Sequence, residues 1–279
     1  MKITNFGTTT LLFDDGEDQV LFDANFTRPT VGRYLFRKVD TDCDLIDDLF
    51  ETHGIDRLRA VFISHSHYDH VIDAPYIARR CGATLYGSES TKNVGLGGGV
   101  PTEQLAVFEG YKRYRIGHFE ITVIPSLHSR PVAFHDDIGE EIEAPLARPS
   151  RLRKYKEGGS YDFYVQNGEK RYLIHPSGNY IEGRLEGYPA DVLFLAVAGY
   201  RRLRRKKRRA FFDETIGRTA AKLVVPIHWD NFFVSLNRPV KRLPRIAERT
   251  DRVAFHLVRY CEEHGVNTVV QLPHTSMEV

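Results

Sequence analysis

The chain has 279 residues, 42% hydrophobic and 27% charged, the balance of a soluble globular protein with room for one large domain or two small ones. No apolar run reaches membrane-spanning length, the first residues lack the charged-then-apolar pattern of a secretory signal, and Cys43, Cys81 and Cys261 are scattered without a CxxC. These features exclude a disulfide framework and a cysteine zinc knuckle, and they make a reducing cytoplasm the expected location, with no membrane partner.

Residues 8–13 and 19–22 are apolar and β-branched around Asp14-Asp15-Gly16-Glu17-Asp18, which predicts a hairpin leading into Asp23. Residues 42–53 place Leu45, Ile46, Leu49 and Phe50 at helical spacing before Gly54. A buried strand is expected over 60–63, a helix over 74–80 stopped near Gly82, and a short strand over 84–86. Glycine-rich 95–99 lacks the frame of a phosphate loop and reads as a flexible loop. Residues 105–125 predict two or three strands, ending in apolar 121–124. The polar excursion 129–160 carries an acidic patch (Asp136, Asp137, Glu140, Glu141, Glu143) and then a basic one (Arg148, Arg151, Arg153, Lys154, Lys156), as a lid, a substrate wall or a solvated loop would. Strands follow over 161–165 and 171–174 around Asn167-Gly168, over 191–196 and over 223–227. Helices are expected over 211–221 and over 252–264, the latter closed by Gly265, with a last strand over 266–272. Strands and helices alternate, so the class is α/β or mixed α+β.

The most informative segment is Ser64-His65-Ser66-His67-Tyr68-Asp69-His70, which gathers three imidazoles and a carboxylate into six positions after an apolar strand. Neutral imidazole and carboxylate are the ligands of zinc and similar ions, and packing alone does not call for them at this density. His128 and His228 also stand just past apolar strands, so ligands at neighbouring strand ends would converge on one rim of a sheet. His53, His118, His135, His256, His264 and His274 have no such spacing and read as surface or core residues.

The segment His65-Ser66-His67-Tyr68-Asp69-His70 resembles the HxHxDH signature of the metallo-β-lactamase superfamily, and His128 and His228 follow in that superfamily's order. The opening turn with Asp23 resembles its first motif, and Pro226-Ile227-His228-Trp229-Asp230 resembles the P-x-H-W-D ending of its phosphodiesterase- and lactonase-like members. The resemblance covers nearly the whole chain. It implies a single domain over 1–279, an α+β four-layer αββα sandwich, with metals at one edge of the two sheets. It implies that His65, His67 and His128 bind a first metal and that Asp69, His70 and His228 bind a second. Residues two apart in an extended segment point the same way, which lets His65 and His67 share one ion. The pattern breaks where the superfamily has a bridging Asp: here the segment is His175-Pro176-Ser177-Gly178-Asn179, with Ser177 at about that position. A weakened or empty second site follows, unless His175 substitutes; the alternative for His175 is a hydrogen-bonded strand histidine.

The implied activity is that of a metal-dependent hydrolase using metal-activated water, with Asp69 orienting that water and taking its proton. The cofactor is one or two divalent ions, zinc first and Mn²⁺ or Fe²⁺ as alternatives. Arg130, Asn179 and Tyr180 are pocket candidates by sequence proximity, and Asp230 is either a partner of the ligand shell or a surface carboxylate. Residues 201–209 read RRLRRKKRR, and without this run the chain carries 31 basic against 37 acidic residues. The run is a solvated basic loop or a site for an anionic substrate or nucleic acid, although no RNA-binding signature accompanies it. It tips the expected substrate towards a small phosphodiester or another anionic ester. Lactonase and nuclease activities are the alternatives within the superfamily; a mononuclear iron oxygenase and an inactive binding protein are those outside it. A di-iron redox protein is disfavoured because that branch carries Glu where His67 stands.

Overall fold

The computed structural model describes residues 1–130 and 137–279, so the sequence readings of His135 and Asp136 lie outside the described residues. The strands of the first part are β1 (Lys2–Asn5), β2 (Leu11–Asp14), β3 (Gln19–Phe22), β4 (Lys38–Val39), β5 (Leu58–Phe62), β6 (Thr84–Gly87) and β7 (Leu105–Val107). They are followed by β8 (Arg113–Ile116), β9 (Phe119–Pro125), β10 (Ser150–Arg151), β11 (Tyr161–Asn167), β12 (Lys170–His175), β13 (Val192–Ala196), β14 (Leu223–Ile227), β15 (Asn267–Thr268) and β16 (Thr275–Glu278). Two seven-stranded sheets result, ordered β16-β1-β2-β3-β5-β6-β7 and β15-β14-β13-β12-β11-β9-β8, together with a small β10-β4 pair. The helices are α1 (Val31–Phe36), α2 (Cys43–His53), α3 (Tyr68–Val71), α4 (Ala74–Cys81), α5 (Glu89–Gly97), α6 (Arg205–Phe212) and α7 (Thr250–His264).

The period of two along each strand builds the layers. On β5, Ala60 and Phe62 enter the core between the sheets while Leu58 and Val61 face the core under α2 and α4. On β13, Val192, Phe194 and Ala196 enter the inter-sheet core while Leu193 and Leu195 face the core under α6 and α7. Strands covered on both faces need apolar residues at every position, which is why 60–63 and 192–196 read as continuous apolar runs. The inter-sheet core is largely aromatic: Phe22 packs on Phe13, Phe62 and Phe163 with ring centroids 5.1, 5.7 and 5.3 Å apart. This is the four-layer αββα sandwich. Asp42 caps α2 by accepting from Leu45 N, and Gly82 and Gly265 end α4 and α7 with φ of 64° and 66°.

Several sequence expectations are corrected. The glycines of 95–99 are no flexible loop: Gly95 and Gly97 belong to α5, where a Cβ on Gly97 would lie 2.0 Å from Leu146 O and one on Gly98 2.3 Å from Pro75 Cβ. Close approach, not mobility, requires them. The helix expected over 211–221 begins at Arg205 and ends in a π turn, Asp213–Gly217, so it takes in half of the basic run. The strand expected over 266–272 shrinks to β15, and exposed Val269, Val270 and Leu272 lead to β16, which adds to the other sheet beside β1. Both β1 and β16 escaped the sequence reading, because Lys2–Asn5 and Thr275–Glu278 carry little apolar signal. The described part of the excursion, 137–160, is a packed wall, with Ile142, Leu146, Leu152 and Tyr155 in the core under α2 and α4. No helix among the described residues is long and apolar enough to cross a membrane.

Gly97→Ala is expected to destabilise the chain by about 1–3 kcal/mol, because the new methyl meets backbone that cannot rotate away. Urea denaturation measures it, and a change within about 0.5 kcal/mol of zero would show that the 146 segment is not pressed on α5.

Candidate metal centre

Strands β3, β5, β9, β12 and β14 all end on one rim of the sandwich, and their next residues supply Asp23, the His65–His70 loop, His128, Ser177 and His228. The rim gathers two groups whose candidate ligand atoms lie within 4.8 Å of one another: His65, His67 and His128, and Asp69, His70 and His228. These are the two sets that the family resemblance implies. The separation of Asp69 from His70 comes from a helical turn rather than from extended chain, since α3 begins at Tyr68 and rotates successive side chains by about 100°.

Four of the five imidazoles are oriented from behind, and the buried Nδ1 of His228 has no hydrogen-bond partner. His70 Nδ1 lies 2.7 Å from Asp23 Oδ2 and 2.9 Å from Thr9 Oγ1, so its Nε2 faces Asp69 Oδ2 at 3.8 Å. His228 Nε2 lies 3.5 Å from the same Oδ2. His128 Nδ1 donates to Ser129 O at 2.7 Å, which leaves Nε2 as its ligand atom. His65 Nδ1 lies 3.1 Å from Ser64 Oγ, and its buried Nε2 has no hydrogen-bond partner. A buried, unsatisfied nitrogen facing other ligands fits a metal, since buried polar atoms otherwise find partners. His67 Nε2 is 3.1 Å from both carboxylate oxygens of Asp137, so an ion held by His67 would be held through Nδ1. Such outer partners fix the tautomer of a ligating histidine.

Burial, with crowding by His70 and His128, holds His65 well below the ordinary imidazole range, and burial and the neighbouring His67 bring His128 down to about 3. Burial alone would raise Asp69, but His70 and His228 outweigh it and keep the carboxyl well below its usual range. Burial lowers His70, yet Asp23 and Asp69 outweigh that and raise it. His65 and His128 in the first triad are thus held neutral and Asp69 in the second is held ionised, the states that metal binding requires.

The remaining sequence candidates sit as follows. His175 is buried and paired with Asp162 at 2.9 Å, its Nε2 donating to Asn179 O at 2.7 Å, and it belongs to neither triad among the described residues. Ser177 Oγ accepts from Ser129 N at 2.7 Å and also stands outside both triads. Asn179 Nδ2 donates to His128 O at 2.9 Å, so Asp162, His175 and Asn179 form a chain that fixes the backbone of His128. Tyr180 packs loosely on Phe211, and Arg130 is exposed at the edge of the described residues. Asp230 is no surface carboxylate: it is 1% exposed, accepts from Thr8 N at 2.7 Å and pairs with buried Arg28 at 2.7 Å.

Sequence reasoning missed Thr8, Thr9, Arg28, Ser64 and Asp137 as supports, along with an aromatic wall beside the second triad. Phe232 packs on His228 with ring centroids 5.5 Å apart, and Tyr34 packs on Tyr68 and Phe233 at 5.5 Å each. The backbone supports carry no residue-type signal, and Asp137 looked like one more acid in a polar loop. Asp23 alone had a positional signal, standing after an apolar strand as His65 does.

Two groups of His and Asp ligands on the rim of a two-sheet sandwich define the class, a metal-dependent hydrolase with the metallo-β-lactamase fold. The chain belongs to the beta-lactamase superfamily: the sequence profile of the Beta-lactamase superfamily domain matches residues 19–229. A UPF0173 metal-dependent hydrolase from Chloroflexus aurantiacus is 23% identical over 217 residues, covering 77% of this chain and 76% of that protein. Among solved structures, the metallo-beta-lactamase fold protein YhfI from Bacillus subtilis superimposes with a TM-score of 0.58 at 16% identity, over 99% of both chains. Igni18, a metallo hydrolase from Ignicoccus hospitalis, gives 0.55 at 16% identity over 100% of this chain and 98% of its own. At these identities the two structures share the fold with this chain.

Asp23→Asn is expected to lower metal affinity at the second triad by about 10–100-fold, read by competition with a chromophoric chelator; unchanged affinity would remove Asp23 from the ligand shell. In the metal-free chain, the unfolded state protonates His128 below pH 6.5 while the folded state resists to about 3, so stability falls as pH drops through that window. His128→Gln should remove part of that slope in thermal melts; melts with the slope of the wild type would place His128 in water.

Proposed function

We propose that this chain hydrolyses an ester-type bond of an anionic small molecule, a phosphodiester ahead of a lactone or carboxylic ester, using divalent ions of which zinc is the first candidate. The observation that carries the proposal is the pair of triads, with the buried and unpartnered Nε2 of His65 in the first. Three imidazoles suit zinc; one carboxylate with two imidazoles suits zinc, manganese or iron(II). An ion held there lowers the pKa of bound water towards about 7 and polarises a substrate oxygen. Asp69, kept ionised, orients the attacking water and accepts its proton. Asp23 and Asp137 hold His70 and His67 in place during that transfer. The wall of Tyr34, Phe232 and Phe233 keeps bulk water from one side of the second triad and offers an apolar leaving group a surface. The preference for an anion is supported by the basic run, which starts at this rim: Gly199 packs against Ser129, next to His128.

The metal-loaded chain is expected to cleave bis(p-nitrophenyl) phosphate faster than p-nitrophenyl acetate or a simple lactone, to lose the activity to chelator and to regain it with zinc. Asp69→Asn should lower kcat by at least about a hundredfold. Faster turnover of the lactone would replace the phosphodiester preference, and iron-dependent oxygen uptake without hydrolysis would sink the hydrolytic reading.

A further inference from the structure

The metal rim leaves most of the basic run unused. After Gly199 the chain makes a tight turn, Tyr200–Arg202, and enters α6. Arg205, Arg208 and Arg209 stand three and four positions apart, on one face of that helix. Arg252, Phe255 and His256 repeat the spacing on α7. The six residues line a single cleft of about 590 Å³ between the two helices. Buried Phe211 and Phe212 anchor the end of α6, and Val253 and Leu257 the inner side of α7, so both helices are held by the outer core.

Three of the four arginines in this cleft carry no carboxylate partner among the described residues. Arg208 is held by carbonyl oxygens, donating to Leu203 O at 3.2 Å and to Arg201 O at 3.0 Å. Among the described residues no carboxylate pairs with Arg205, Arg208 or Arg252. Of the nearby acids, Asp251 is engaged with Arg245 and Arg249, while Glu263 at 2.7 Å and Asp213 at 3.8 Å neutralise Arg209 alone. Phe255 is 61% exposed beside the ring of His256, 6.0 Å away between centroids. A solvated helix face commonly carries compensating acids at i,i+3 and i,i+4 spacing, and on their helices Arg205, Arg208 and Arg252 have none. Outside 201–209 the chain has 31 basic and 37 acidic residues, so the positive field is concentrated here.

We infer that this cleft is a docking site for single-stranded nucleic acid, its phosphates taken by Arg205, Arg208 and Arg252 and a base stacked on Phe255. Guanidinium forks match phosphate oxygens, and base-on-ring stacking accepts any sequence. Helix α6 is about 12 Å long, enough for more than one phosphate, whereas a lone phosphate would leave the ring and most of the arginines unused. A bilayer takes a row of apolar groups from an amphipathic face, and Phe255 is the one apolar residue lining this cleft. A duplex would keep its bases stacked on each other and away from the ring. The assignment extends the proposed function without resting on it, because binding is read with no turnover.

The test is fluorescence anisotropy of an end-labelled, mixed-sequence RNA of about 12 nucleotides, with the full chain and chelator present. Micromolar binding that weakens steeply with salt is expected. Arg205→Glu with Arg252→Glu should weaken it at least about tenfold, and Phe255→Ala about fivefold with the salt slope unchanged. Melting curves check that these surface variants fold, and metal binding to the rim, read by elemental analysis and unchanged in the variants, separates this proposal from the hydrolytic one. No binding at about 50 mM salt, or equal binding by all the variants, overturns it. So does an unchanged Phe255→Ala, which would reduce the cleft to a bare polyanion surface. Binding of phosphatidylserine vesicles in place of RNA, lost in the same variants, would give the cleft to a membrane and overturn it as well.

Discussion

The carboxylate of Asp23 ties together the elements around the second group of ligands. It accepts from Ser64 N at 2.7 Å, Ser64 Oγ at 2.9 Å and Thr9 Oγ1 at 2.6 Å, and it holds His70 Nδ1 at 2.7 Å. Those donors come from the turn before β2, the loop after β5 and helix α3. A carboxylate buried to 1% exposure persists only when its oxygens are paired this fully. Asp23 also stands in the left-handed region, at φ 53°, with its amide bonded to Phe62 O at 2.8 Å. Strain of that kind is tolerated where surrounding layers over-determine the backbone, and two further non-glycine residues on the same rim share it, Thr8 at 52° and His228 at 57°.

A second buried node serves the other sheet. Arg28 and Asp230 pair at 2.7 Å, both nearly inaccessible, and Asp230 also takes Thr8 N. The amide of His228 donates to Thr8 O at 2.6 Å, so the end of β14 is laced to the turn between β1 and β2. Each sheet thus carries ligands that the other sheet's loops hold in place. This interlocking gives a rigid site on loops, because the loops close on each other through buried charge rather than on themselves.

Much of this arrangement was legible because it rests on strand ends. The apolar runs before His65, His128 and His228 mark strands buried on both faces, and a polar ligand placed directly after such a strand has to lie on the rim. Asp42, Gly82 and Gly265 announced the limits of α2, α4 and α7 through capping chemistry that is local in sequence. The glycines of α5 were misread because their reason is tertiary: Leu146 and Pro75 are distant in sequence and press on them in space. The start of α6 was misread because a run of like charges looks unfavourable for a helix until Phe211 and Phe212 anchor its end in the core. Asp137 and Arg28 could not be seen as supports at all, since an acid in a polar loop and a lone arginine become site residues only through the fold.

The absence of a carboxylate at Ser177 bears on how the two triads divide the work. The place is filled by hydroxyl, imidazole and amide groups that bond one another and the backbone around His128, a support for the first triad in place of a bridge to the second. The two groups of ligands then depend on Asp69, His70 and His228 alone to hold a second ion. The most direct test is the metal-to-protein ratio by elemental analysis, for chain purified without chelator and for its Asp69→Ala variant. The account predicts close to two ions per chain in the wild type and close to one in the variant, with the first triad still loaded. A single ion in the wild type, unaffected by Asp69→Ala, would contradict it.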